Sequence, residues 1–279
     1  MVIETFKYLY ILSIYMEMGQ VKEQEQIIRT VSRVGNGAHI FAPKEWINER
    51  VLVLRIEKKE VKEEIINILY PYLGKIIGVY IYGSHARNEA TENSDVDVLV
   101  IAKEGFKINK NNKFEFIVLK ENEIEEAIKI NPILMYSAFK EAKVIINEKC
   151  LDKWKREKVD KRLFKPFLKS TNDSIKSDEE LLKLDRKTGK TVSNSVIYSL
   201  ILRLRGIFII NCLVRNNRYS NKDFGKWIVS RTDIDYGKAY QVYQDVRNGK
   251  ERKEEISIEQ GEKLIELLKE EVERLKGLI

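Results

Sequence analysis

The chain has two cysteines, two histidines and four prolines in 279 residues, and the first two scarcities each remove a class of chemistry. Cys150 and Cys212 have no metal-ligand spacing, and one pair makes no disulfide framework. With His39 and His85 as the only imidazoles, a zinc centre or a Ser-His or Cys-His nucleophile is nearly excluded. The longest apolar run, Val196 to Val214, is interrupted near its centre by Arg203 and Arg205. That suits a buried bundle helix and not a membrane span. Tyr8 to Met18 is apolar but too short to span, and it lacks the basic start and small-residue cleavage site of a signal peptide. Met16 or Met18 is an alternative initiator to Met1, and a cytoplasmic location is expected.

What is present is a hydrophobic fraction of 43% and a charged fraction of 33%, the balance of a soluble globular chain long enough for one large domain or two to three small ones. The net charge of +7 is lopsided: residues 148–279 hold 30 Lys and Arg against 22 Asp and Glu. The basic density peaks between Lys153 and Lys169, with Trp154, Phe164 and Phe167 interleaved. Charge runs are usually solvated faces, so a solvated basic helix is favoured there over a nucleic-acid contact.

Composition and periodicity divide the chain into residues 1–57, 58–147 and 148–279. The first contains Ile27 to Val34, Gly35-Asn36-Gly37, Ala38 to Ala42 and Val51 to Ile56, a hairpin pattern with Pro43 suited to opening a short helix. About thirty such residues bury too little apolar surface alone, so partner strands are required. The second alternates helix and strand: Val61, Ile65, Ile68, Leu69 and Tyr72 on one helical face, then strands at Gly78–Tyr82, Val98–Ile101 and Lys113–Val118. Helices at Glu121–Ile130 and Pro132–Ala142 and a strand at Val144–Ile146 complete it. The third is helical throughout, with capping-box starts at Ser220-x-x-Asp223 and, better matched, Ser257-x-x-Gln260. Its last helix carries Leu264, Leu268, Val272 and Leu275, with Glu270 and Arg274 spaced as an i,i+4 pair. The expected fold class is α+β: a small β-hairpin segment, a mixed-sheet domain and a helical bundle.

The chemistry concentrates in one constellation. The strand ending at Tyr82 is followed by Gly83-Ser84, ten residues, then Asp95-Val96-Asp97 entering the next strand. A Gly-Ser turn leaving a strand brings backbone N–H groups and a hydroxyl to a phosphate. Carboxylates at i and i+2 on a strand share a face and repel unless a cation lies between them, and oxygen-only ligands select Mg²⁺ or Mn²⁺. On the third strand Glu115 points away from Phe114 and Phe116, which flank it on the opposite face. Phosphate on one side and divalent metal on the other describe phosphoryl or nucleotidyl transfer.

Gly83-Ser84-x10-Asp95-x-Asp97 followed by an acidic strand resembles the polymerase-β-like nucleotidyltransferase superfamily, particularly its small archaeal and bacterial members, over about residues 60–147. The resemblance implies that Asp95, Asp97 and Glu115 are catalytic and hold two Mg²⁺ ions. It implies that Gly83 and Ser84 grip the triphosphate of ATP or another NTP, with Arg87, in Ala86-Arg87-Asn88, either facing the phosphates or capping the site's charge. The acceptor is left open between a protein side chain and a small hydroxylated molecule. Val31 to Trp46 resembles AbrB-like swapped hairpins, which implies a homodimer through residues 27–57; its low net charge disfavours DNA binding. The helical tail is similar to helical domains that follow this fold in antibiotic nucleotidyltransferases, with Tyr240-x-x-Tyr243-x-x-x-Arg247 as the local likeness. The absence of any histidine after His85 excludes an active HEPN ribonuclease, and His85 itself reads as a loop residue. The competing reading is a non-catalytic DNA-associated regulator with a retired transferase domain, against which the intact Asp95, Asp97 and Glu115 argue.

Overall fold

The computed structural model describes residues 31–51, 61–92, 94–109, 111–189, 191–250 and 255–279, and the chain divides into two compact units, residues 1–58 and 59–279. In the first unit β1 (Ser32–Val34) pairs antiparallel with β2 (Gly37–His39). Val34 lies opposite Gly37, so the turn is Gly35-Asn36, with Gly35 at φ +53° supplying the left-handed backbone that a tight hairpin needs. Pro43 precedes a 3-10 turn at Lys44–Trp46, as its fixed φ favours. No residue of 31–51 is buried. The strand expected at Val51–Ile56 and the start of the one expected at Ile27–Val34 lie outside the described residues, Val51 itself apart.

The second unit is built on a four-stranded mixed sheet in the order β5-β4-β3-β6. Helix α1 (Val61–Leu69) ends in a 3-10 turn containing Pro71 and Gly74, and β3 (Ile76–Tyr82) follows. Helix α2 (Gly83–Arg87) then leads to β4 (Val96–Ala102) and β5 (Phe114–Lys120). Helices α3 (Ile124–Ile130) and α4 (Pro132–Glu141) precede the edge strand β6 (Lys143–Ile146). β3 is antiparallel to both β4 and β6, whereas β4 and β5 are parallel.

The period-2 alternation of these strands divides the sheet's apolar side chains between two clusters. Val79, Ile81, Val98, Val100, Phe114, Phe116 and Val118 pack with Ile65 and Leu69 of α1. Tyr80, Tyr82, Leu99, Ile101, Ile117 and Leu119 belong to a core that continues through Met135, Tyr136 and Phe139 of α4 into the C-terminal helices. Those helices are α5 (Glu148–Arg156), α6 (Lys165–Thr188), α7 (Asn194–Val214), α8 (Asn221–Thr232), α9 (Tyr236–Arg247) and α10 (Ile258–Lys276).

Helix α7 is long and apolar enough to cross a membrane, yet Ile197, Leu200, Ile201, Leu204, Ile207 and Ile210 are buried in this core, where it packs on α4, α6, α9 and α10. Ser257 forms the full reciprocal capping box with Gln260 at the start of α10. Ser220 caps α8 only through the Asp223 N–H. Glu270 and Arg274 do not pair: Glu270 accepts from Arg231 of α8, and Arg274 binds Glu271.

Glu271 is 1% exposed and joins three helices, since Arg231 of α8, Arg274 of α10 and Asn211 of α7 all reach it. Removing this buried carboxylate leaves Arg274 and the Asn211 amide without their acceptor, whereas Arg231 keeps Glu270. Glu271→Ala is expected to lower unfolding free energy by about 1–3 kcal/mol. Glu270→Ala, which breaks an exposed pair, should cost less than about 1 kcal/mol. Urea unfolding of the two variants separates them, and equal losses would contradict this account.

Candidate active site at the end of the sheet

Three strands deliver three polar side chains to adjacent positions. Tyr82 ends β3 opposite Asp97 of β4, and Asp97 lies opposite Glu115 of β5 in the parallel ladder. The pleat puts all three on the face that carries Tyr80, Leu99 and Ile117 further along the same strands. Asp95 stands just before β4, exposed, and shares with Glu115 the rim of a cleft of about 780 Å³ bordered by Phe106, Ile108 and Phe116.

The chain leaves β3 through Gly83 at φ +70°, directly against Asp97: a Cβ built on Gly83 would come within 1.9 Å of Asp97 Oδ2. Only glycine fits this conformation beside that carboxylate. Ser84 follows on the first turn of α2, half-buried, and its hydroxyl has no hydrogen-bond partner among the described residues. Arg87 ends the same short helix. Burial opposes its charge, but Glu141 (Nη1 to Oε2 2.6 Å) and Glu89 (Nε to Oε2 2.9 Å) more than restore it.

Asp97 is pushed up to about 6, first by burial, then by the carboxylate of Glu115, with Glu141 and Asp95 adding to it and Arg87 opposing. Burial, followed by the same Asp97, Glu115 and Glu141 charges, raises Tyr82, which therefore stays protonated at neutral pH. Negative charge gathered around a half-buried aspartate is the electrostatic condition that a divalent cation relieves, and the donors are all hard oxygens. Among the described residues, however, no three such side chains already form a cation cluster.

Residues 63–150 match the family model described as "Polymerase beta, Nucleotidyltransferase". They form a polymerase-β-type nucleotidyltransferase domain. A Methanocaldococcus jannaschii protein named "Putative protein adenylyltransferase MJ0126" is 44% identical over 48 residues, covering 17% of this chain and 40% of its own. A second from that organism, "Putative protein adenylyltransferase MJ0604", is 36% identical over 50 residues, 18% of this chain and 50% of its own. The chain thus spans half or less of the length of these curated relatives. Among solved structures, spectinomycin adenyltransferase AAD(9) from Enterococcus faecialis superposes with a TM-score of 0.43 at 15% identity, over 76% of this chain and 97% of that one. A nucleotidyltransferase-like protein from Exiguobacterium sibiricum gives a TM-score of 0.35 at 12% identity, over 77% and 75%. Likeness at this level carries no argument.

Three residues around the sheet-end site are not marked by the sequence motif. Glu141 is the last residue of α4, more than fifty positions from the motif, and both its carboxylate oxygens are engaged there: Gly83 N–H donates to Oε1 at 2.8 Å, and Arg87 donates to Oε2. Tyr219 lies under the Arg87 guanidinium, 5.0 Å from ring centroid to Cζ. Arg205, from the middle of α7, packs over the same ring and donates from Nε to the Tyr219 hydroxyl at 3.0 Å. Arg205 has no carboxylate in salt-bridge reach among the described residues. The only signal in the sequence was an arginine pair inside an apolar helix. His85 is occupied by the Ser94 carbonyl (Nε2 to O 3.3 Å), consistent with a loop role.

Two outcomes follow from this geometry. Because the folded pKa of Asp97 lies above its unfolded value, its contribution to stability is fully present below about pH 4 and is lost as the pH rises through about 6. Metal-free Asp97→Asn should therefore melt higher than the parent at pH 7.5, by roughly 2–4 °C for each 1 kcal/mol relieved, with the gap closing at low pH. Calorimetry at the two pH values reads it. Gly83→Ala must displace Asp97 or the turn, and should abolish activity and lower Tm.

Proposed function

We propose that the chain is a Mg²⁺-dependent nucleotidyltransferase that moves a nucleoside monophosphate from an NTP, with ATP the preferred donor, to a hydroxyl acceptor and releases pyrophosphate. The observation that carries this is the Tyr82, Asp97 and Glu115 row at the sheet end with the Gly83-Ser84 turn pressed against Asp97. The names of the two archaeal relatives favour a protein side chain as acceptor, with a small hydroxylated molecule as the other class.

Asp95, Asp97 and Glu115 would hold the divalent ions. Bound there, such ions would neutralise charge developing on the attacking and leaving oxygens of an in-line displacement. The chain's own groups do the rest. Glu115 takes the proton from the acceptor hydroxyl as that oxygen bonds to the α-phosphorus. The bond between the α-phosphorus and the bridging oxygen breaks, and the electron pair leaves with pyrophosphate. Ser84 and Arg87 hold the departing phosphates, because a free hydroxyl and a planar guanidinium match phosphoryl oxygens. Arg205, a half-buried cation with no carboxylate in salt-bridge reach among the described residues, extends the same grip from the helices, while the Tyr219 hydroxyl, pushed up to about 12 by burial, stays protonated, accepts from Arg205 and donates to Asn221 Oδ1.

The test is incubation with Mg²⁺ and α-labelled NTPs in a cell extract. Label should enter an acceptor only with Mg²⁺ present, and Asp97→Asn should reduce incorporation at least 10²-fold, the scale for removing one transition-state electrostatic contact. Incorporation by Asp97→Asn at the parent rate would refute the assignment.

The hairpin supports a second proposal, that the chain is a homodimer through residues 27–57. Val34, Phe41 and Ile47 are exposed there, and a lone two-stranded hairpin lacks the burial to be stable by itself. Light scattering should give twice the chain mass, falling to one chain in Phe41→Asp; a parent monomer would overturn it.

A further inference from the structure

Glu141 sits where a phosphate would be expected. Its side chain is 9% exposed, and its two oxygens accept from the Gly83 backbone N–H and from Arg87. These are a main-chain donor of the phosphate turn and the arginine at the end of the short helix it opens. Glu141 also adds negative charge to a site that already raises Asp97 and Tyr82. A carboxylate serving only to brace the turn would be a poor choice beside Asp97 and Glu115, since a neutral amide oxygen accepts the same N–H without repulsion. Arg87, meanwhile, is held by two carboxylates, so it presents no net positive charge to an incoming triphosphate. Glu89 is anchored away from the turn through Oε1, which accepts the Asn221 N–H at 2.9 Å, whereas both partners of Glu141 are groups that the nucleotidyl-transfer reading assigns to phosphate. It is also the last residue of α4, where its departure breaks no helical packing.

Building on the nucleotidyl-transfer reading above, we infer that Glu141 is an internal anion that occupies the phosphate seat of the nucleotide-free enzyme and is displaced when the triphosphate binds. Glu141 is thus a positioning residue that sets nucleotide affinity and not the rate of the chemical step. It holds the Gly-Ser turn and Arg87 in their binding geometry while empty.

Isothermal titration of Glu141→Gln with Mg²⁺ and α,β-methylene-ATP tests this. The glutamine keeps an oxygen for the Gly83 N–H and removes the competing charge. Affinity should rise roughly tenfold, the equivalent of about 1.4 kcal/mol, with kcat for label transfer unchanged. A bracing role predicts the opposite sign, weaker binding and a lower kcat. Binding by the parent with equal or weaker binding by Glu141→Gln overturns this inference alone. A parent that binds no nucleotide overturns the nucleotidyl-transfer reading together with it. Should the variant not fold, the Gly83 amide resonance of ¹⁵N-labelled parent protein reads the same exchange: it must shift on saturation with the analogue, and an unmoved resonance overturns the inference.

Discussion

The parallel pairing of β4 with β5 is the constraint on which the rest of the site depends. Val96 opposite Phe114 sets Asp97 opposite Glu115 with no bulge along the ladder. A slip of one residue would turn Glu115 toward the face covered by α1 and bring a phenylalanine beside Asp97. The register is held by apolar side chains on both faces, since Val98, Val100, Phe114 and Phe116 are gripped by α1 while Leu99, Ile101 and Ile117 are gripped by the helices. The hydrophobic core thus does two things at once: it stabilises the sheet, and it forces two carboxylates into neighbouring positions that electrostatics alone would avoid.

That enforced proximity explains why the surrounding residues are what they are. Gly83 is required because a side chain there would collide with Asp97, and Arg87 is drawn in because a half-buried carboxylate needs a cation within reach. Arg87, 10% exposed, is in turn paired by Glu89 and, in the nucleotide-free structure, by Glu141. Each residue is the physical answer to the charge introduced by the one before it. The chain of compensation reaches the helices through Glu89, which takes the Asn221 N–H, and through Tyr219, shared by Arg87 and Arg205.

Much of this was legible in the sequence because it is local. The order of strands, the Gly-Ser turn, the Asp-x-Asp pair and the inward direction of Glu115 follow from periods of two and 3.6 and from residues with one steric use. The start of α10 was legible for the same reason, since Ser257 and Gln260 need only each other. Where a side chain had a choice of distant partners, spacing misled: Arg274 takes Glu271 rather than Glu270, because Glu271 is the acid that faces the bundle interior and Arg231 claims Glu270. Glu141 and Arg205 were invisible because nothing near them in the sequence marks them. Their meaning comes from the packing of α4 and α7 against the end of the sheet.

The same contrast bears on which half of the reaction each part of the fold governs. Asp97 and Glu115 sit on strands locked by two cores, so their geometry has little freedom. Glu141 ends α4 and Tyr219 lies in the connection between α7 and α8, and side chains in such places move at lower cost than strand register does. A site made of a rigid carboxylate row and movable helix-borne partners can keep one bond-forming geometry while adjusting what it admits. Under the proposed nucleotidyl transfer, specificity for nucleotide and acceptor is therefore to be sought at the helix ends and along the β5 cleft.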